Sequence, residues 1–156
     1  MSKKKFSSSV EDHLEAIHWL VEKRGKATTS ELSSFLGHKP PSVTEMLEKL
    51  SRKGLVKHEK YGAISLTPLG KRIAEEVSSR HRTLISFLEL LGVDRKTAEV
   101  DACKIEHVVN RRTMNRLRKF VEFVQKAPEK PEWLEHYRHF IRTGKYPTRK
   151  SQDERR

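Results

Sequence analysis

The sequence predicts a mainly α-helical protein with one short β-hairpin. Three observations carry this expectation. Apolar residues recur at helical spacing through most of the chain, residues with capping chemistry precede most of those runs, and residues 55–67 alone show two short runs divided by a turn.

Each element has its own local signal. Residues 1–8 are basic and Ser-rich and are expected to form a flexible arm. Ser9 with Asp12 makes a capping-box pattern, and Val10, Leu14, Ile17 and Val21 supply the apolar stripe of a first helix that Arg24 and Gly25 end. Thr28 with Glu31 is a second box, opening a short helix with the stripe Leu32, Phe35 and Leu36, stopped by Gly37. Pro40 and Pro41 suit the first turn of a third helix, where the missing N–H groups have no intrahelical partner to lose. Its inward stripe is Val43, Met46, Leu47 and Leu50, and Gly54 terminates it. Leu55 to Lys60, a Tyr61-Gly62 turn, and Ala63 to Thr67 then form the hairpin. Three helices closed by a hairpin in under 70 residues is the order of a winged helix-turn-helix.

The remainder of the chain is all helical. Thr67-Pro68 caps and opens a long helix to about Leu91 and Gly92, Asp94 caps a fifth through about Val109, Thr113 a sixth through about Lys126, and Pro131 opens a seventh through about Arg142. The expected organisation is a winged helix-turn-helix DNA-binding domain over 1–71, a helical domain over 72–143, and a basic disordered tail over 144–156.

Charge narrows the function. The 156 residues hold 33 Lys and Arg against 21 Asp and Glu, a net +12, so a polyanion is the default partner. Residues 1–71 carry 13 basic and 8 acidic side chains and residues 72–156 carry 20 and 13, so the excess lies in both halves. No apolar run approaches the roughly 18 residues of a membrane span, and the start lacks the apolar segment of a secretory signal, so a cytoplasmic protein without a membrane partner is expected. One cysteine, Cys103, cannot form an intramolecular disulfide, which fits a reducing compartment. The sequence has no HExxH pattern, Gly-rich phosphate loop or nucleophile elbow, and no enzyme is expected.

With its stripe turned inward, the third helix leaves Pro41, Ser42, Thr44, Glu45, Lys49 and Arg52 outward. Small polar residues let such a helix enter a major groove, and basic ones at its far end neutralise phosphates. Lys57, Lys60 and Tyr61 lie on or near the hairpin, where a wing follows the backbone of double-stranded DNA.

A second pattern is chemical. Asp12 and Glu15 share one face of the first helix, nearly opposite its apolar stripe. Cys103, Glu106 and His107 are spaced i, i+3, i+4 on the fifth helix, with Glu99 towards the same side, and His81 interrupts the apolar stripe of the fourth. Carboxylates, imidazoles and a thiol left over after core packing would repel without a cation, which makes a divalent metal the economical explanation. A winged-helix regulator sensing an organic ligand, with the acids and histidines incidental, is the alternative.

The segments Ser9-Val-Glu-Asp-His-Leu-Glu-Ala-Ile17, Pro40-Pro-Ser-Val-Thr-Glu-Met-Leu47, Leu66-Thr-Pro-Leu-Gly70, Arg80-His-Arg82 and Asp101-Ala-Cys-Lys-Ile-Glu-His107 resemble the diphtheria-toxin-repressor family of metal-dependent regulators, including its manganese-responsive branch. The resemblance spans roughly Ser9 to Lys126. It implies a homodimer built through the second half and metal bound between the domains, and a dimer carrying two reading helices is expected to take a roughly palindromic operator. Asp12, Glu15, His81, Cys103, Glu106 and His107 match the family's ligand positions. Asp12 beside Cys103 makes a hybrid, since manganese-type members pair Asp with Glu there and iron-type members pair Met with Cys. Fe2+ and Mn2+ therefore both stay open as cofactors, and the implied function is metal-activated repression of iron- or manganese-uptake genes. Ile85 replaces a carboxylate of the iron-type ancillary site, and the SH3-like third domain of longer members is not expected. His136 and His139 are spaced i, i+3 on a helix that packs through Trp133, Tyr137 and Phe140.

Overall fold

The computed structural model describes residues 6–58 and 62–148. Most of the expected arm, the candidate DNA-contacting residues Lys60 and Tyr61, and the tail from 149 lie outside the described residues. The chain divides into two compact units between Arg80 and His81.

In the first unit, α1 (Ser8–Arg24) begins earlier than the Ser9 box predicts. Ser7 is the N-cap, accepting from the Val10 N–H at 3.4 Å, and Phe6 packs against the core, so residues 6–8 belong to the fold rather than to an arm. A run of three serines offers three caps, and the one that buries Phe6 is used. In α2 (Thr29–Leu36) both bonds of the capping box form: the Glu31 N–H donates to Thr28 Oγ1 at 3.2 Å and the Thr28 N–H to Glu31 Oε2 at 3.1 Å. Leu32 alone of its stripe is buried. Phe35 is exposed and lies against Trp19 of α1, with ring centroids 5.0 Å apart, so it makes a surface contact instead of filling the core.

α3 (Pro40–Arg52) has proline at its first two positions and turns Val43, Leu47 and Leu50 fully inward. β1 (Val56–His58) pairs antiparallel with β2 (Ile64–Leu66), Lys57 opposite Ser65. The Ile64 N–H also donates to the Ala27 carbonyl at 2.8 Å, extending the hairpin by a bridge to the segment before α2. One core joins these pieces: Leu14, Ile17 and Leu20 of α1, Leu32 of α2, the α3 stripe, Leu55, Val56 and Ile64 of the hairpin, and Ala74 of α4 (Pro68–Leu90). Each such leucine stabilises the fold by about 1.5–3 kcal/mol relative to exposure, so α3 cannot move without its neighbours. Gly70 lets α4 approach closely, because a Cβ there would overlap the Leu55 carbonyl. Thr67 completes that junction, donating to the Gly54 carbonyl at 2.7 Å and accepting from the Gly70 N–H at 3.1 Å.

The second unit contains the end of α4, α5 (Arg95–Ile105), α6 (Arg111–Gln125) and α7 (Glu132–Thr143). Gly92, at φ 92°, turns the chain out of α4, and Asp94 caps α5 by accepting from the Thr97 N–H at 3.0 Å. α5 stops at Ile105, four residues before the expected end, and Asn110 caps α6 by accepting from the Arg112 N–H at 2.9 Å, displacing Thr113 from that role. Leu84 and Ile85 of α4, Ala98 and Ala102 of α5, and Met114 of α6 form the core. Tyr137 of α7 donates to the Leu91 carbonyl at 2.9 Å. At the start of the expected tail, Gly144 at φ 70° is the C-cap of α7, and the exposed Tyr146 ring lies 5.2 Å from that of Phe140, tilted by 51°. No helix among the described residues is long and apolar enough to cross a membrane.

Candidate DNA-reading face and metal-ligand sets

The reading face belongs to the first unit. Pro41, Ser42, Thr44, Glu45, Lys49 and Arg52 are all exposed on α3, as is Lys57 on β1. Thr44 Oγ1 donates to the Pro40 carbonyl at 3.0 Å, which holds its methyl group and hydroxyl close to the helix. The outer surface near the start of α3 is therefore low in profile, while Lys49 and Arg52 concentrate positive charge in its last turn.

The same unit presents Asp12 and Glu15, both half-buried on α1 and three residues apart. Between and beside them are two buried groups that sequence reasoning missed. Glu11 is buried and receives a hydrogen bond from Arg80 Nη2 at 2.8 Å. The signal was available, since Arg80 follows the buried Val77 by three residues on α4, and an arginine on an inward face requires a carboxylate. His13 is also buried, with Nδ1 2.7 Å from the Ser9 carbonyl, and burial holds its pKa below the ordinary value.

The second unit presents His81, Cys103, Glu106 and His107. Cys103 is on the last turn of α5, but Glu106 caps the helix and His107 lies in the turn beyond it. These residues do not share one solvated helix face. Glu106 is 0% exposed, His107 Nε2 lies 3.4 Å from Glu106 Oε1, and His81 Nδ1 donates to Glu106 Oε2 at 2.8 Å. A Glu106 oxygen and the Cys103 sulfur lie within 4.8 Å of each other, and the same holds for Glu106 and His81. Glu99 is drawn elsewhere: Arg95 Nε donates to its Oε1 at 2.7 Å on the exposed side of α5. On α7, His136 Nε2 is 3.6 Å from Glu132, and the His139 carbonyl accepts from Thr143.

The donor set fits a divalent transition ion. Glu106 Oε1 is fully buried without a hydrogen bond, and a carboxylate oxygen in that state is costly unless a cation completes it. Carboxylate and imidazole suit Mn2+ and Fe2+ alike, and the thiol adds a softer donor.

Residues 5–64 match the model of the iron-dependent repressor N-terminal DNA-binding domain, and residues 67–135 match the iron-dependent repressor metal-binding and dimerisation domain. The chain belongs to the iron-dependent repressor family. It is accordingly a metal-dependent transcriptional repressor, with DNA and a second copy of itself as partners. Within the family, it is 41% identical over 118 residues to an uncharacterized HTH-type transcriptional regulator of Methanocaldococcus jannaschii, covering 74% of this chain and 94% of that one. It is 34% identical over 127 residues to the HTH-type transcriptional regulator MntR of Lysinibacillus sphaericus, covering 81% and 91%. A manganese-dependent transcriptional repressor solved in complex with manganese superposes with a TM-score of 0.67 at 33% identity, over 76% of this chain and 55% of that one. The chain spans about half the length of that repressor and of the manganese regulator SloR, 55% and 54% respectively.

Proposed function

We propose that this iron-dependent-repressor family member silences iron- or manganese-uptake genes in the cytoplasm by gripping a roughly palindromic operator when Fe2+ or Mn2+ is bound, and that it catalyses no reaction. The observation that carries this reading is the fully buried Glu106 carboxylate, whose Oε1 accepts no hydrogen bond, beside two imidazoles and a thiol. The ligands are Asp12 and Glu15 from the first unit and His81, Cys103, Glu106 and His107 from the second. Glu99 stands outside this set because Arg95 engages it. The manganese complex among the solved relatives, and the name MntR among the sequence relatives, support a hard or borderline ion.

Bound there, the ion supplies positive charge that lets two sets of anionic and imidazole donors share one place. The chain's own residues do the rest. His81 donates to Glu106 and so fixes the carboxylate's orientation, as a hydrogen bond to a ligand commonly does. Asp12 and Glu15 lie on α1, whose Leu14 and Ile17 share a core with Val43 and Leu47 of α3, so restraining those acids restrains the reading helix. In the dimer, two restrained α3 helices have a fixed separation and can enter successive major grooves. Pro41, Ser42, Thr44 and Glu45 then face base edges, while Lys49, Arg52, Lys57 and Lys60 with Tyr61 meet the backbone.

The test is metal counting beside operator binding for wild type, Asp12→Ala and Glu106→Gln. Both variants should lose bound metal and operator affinity together. Retention of operator binding by Asp12→Ala would instead favour a sensor of an organic ligand.

A further inference from the structure

A second pair of imidazoles lies in the first unit, apart from the six ligands assigned above. His13 of α1 and His38 of the α2–α3 turn have ring centroids 5.4 Å apart, tilted by 39°. They line a cleft of about 410 Å³ together with Ser9, Lys39, Ser42 and Met46. His13 is only 2% exposed. Its Nδ1, 2.7 Å from the Ser9 carbonyl, must carry the ring proton to make that hydrogen bond, because a carbonyl only accepts. Its Nε2 is therefore a bare lone pair, and it is buried with no hydrogen-bond partner. An imidazole whose Nδ1–H is held by a backbone carbonyl, leaving Nε2 open, is the arrangement of a metal-ligating histidine.

The spacing agrees. With zinc–nitrogen bonds of about 2.0–2.1 Å at a tetrahedral ion, two imidazole centroids sit roughly 5 Å apart. An anion is disfavoured, since His13 offers it a lone pair instead of an N–H. Hard ions are disfavoured too, since the cleft supplies imidazole nitrogen and the Met46 thioether but no carboxylate among its lining residues. Lys39 borders the cleft, but it is exposed and its flexible stem can keep the ammonium in water.

We propose that His13 and His38 form a second metal site, selective for a borderline or soft ion such as Zn2+ over Mn2+, with Met46 and water completing the coordination. The site joins α1 to the turn that leads into α3 and borders Ser42 on the reading helix, so its occupancy acts directly on the DNA-reading unit.

Zn2+ also binds carboxylate and thiol sets, so the experiment compares the full-length wild type with His38→Ala, a substitution at an exposed position. Zn2+ stoichiometry is measured by equilibrium dialysis, and the imidazole nitrogens are followed by long-range 1H–15N NMR. The expected result has two parts. His38→Ala binds one Zn2+ fewer per chain with Mn2+ uptake unchanged, and the wild-type His13 Nε2 resonance moves as Zn2+ is added. Equal Zn2+ stoichiometry in the two proteins, or a His13 Nε2 resonance that stays in place through the titration, overturns the proposal.

Discussion

His81 Nδ1 donates to Glu106 Oε2 at 2.8 Å, joining the middle of α4 to the residue that ends α5. The contact leaves Oε1 of the same carboxylate buried and without a hydrogen bond. Glu106→Gln keeps the side chain's shape and replaces an anionic oxygen with an amide. It should remove measurable Mn2+ binding in isothermal titration while the helical circular dichroism stays unchanged.

Cys103 decides the softness of the ligand set. Cys103→Ser removes the thiolate, so Zn2+ and Cd2+ affinity should drop by a larger factor than Mn2+ affinity, with the ratio read from competition titrations. Equal losses for all three ions would show that the sulfur makes no bond to metal.

Gly70 is required by contact, since any Cβ there meets the Leu55 carbonyl. Gly70→Ala should lower stability by about 1–3 kcal/mol, because α4 must shift from the hairpin it packs against. Urea unfolding of the full chain measures this, and an unchanged midpoint would mean that α4 yields freely.

His13 links stability to pH. Its pKa is lowered by burial from the ordinary 6.5, so the folded protein binds fewer protons there than the unfolded chain. Its contribution is complete above the unfolded value and is lost as pH falls through that value towards the folded one. His13→Gln should flatten this part of the stability curve below about pH 6.5 in thermal melts run across pH.

Much of the fold was legible in residue spacing. The Thr28–Glu31 box, the two prolines opening α3, and the Asp94 cap appear where their chemistry places them, because each depends on neighbours within one turn. The errors share a cause. Ser7 rather than Ser9 caps α1, and Asn110 rather than Thr113 caps α6, since competing caps are separated by tertiary packing that local pattern does not contain. The proposed ligand residues stand out in the sequence by type, but the setting of Glu106 does not. Helical spacing put Cys103, Glu106 and His107 on one face, whereas α5 ends at Ile105 and the carboxylate turns into a buried contact with His81. Glu11 and His13 were passed over because charged and polar residues on a helix default to solvent, and only their partners, Arg80 and the Ser9 carbonyl, explain their burial.

The central claim, that a divalent ion held by the acids of α1 restrains the reading helix that shares their core, is tested most directly by operator binding of wild type measured anaerobically with Mn2+ or Fe2+ and again after chelation. Removing the metal should weaken operator affinity at least tenfold, and adding operator should raise metal affinity by the same factor. An operator affinity indifferent to the chelator would contradict it.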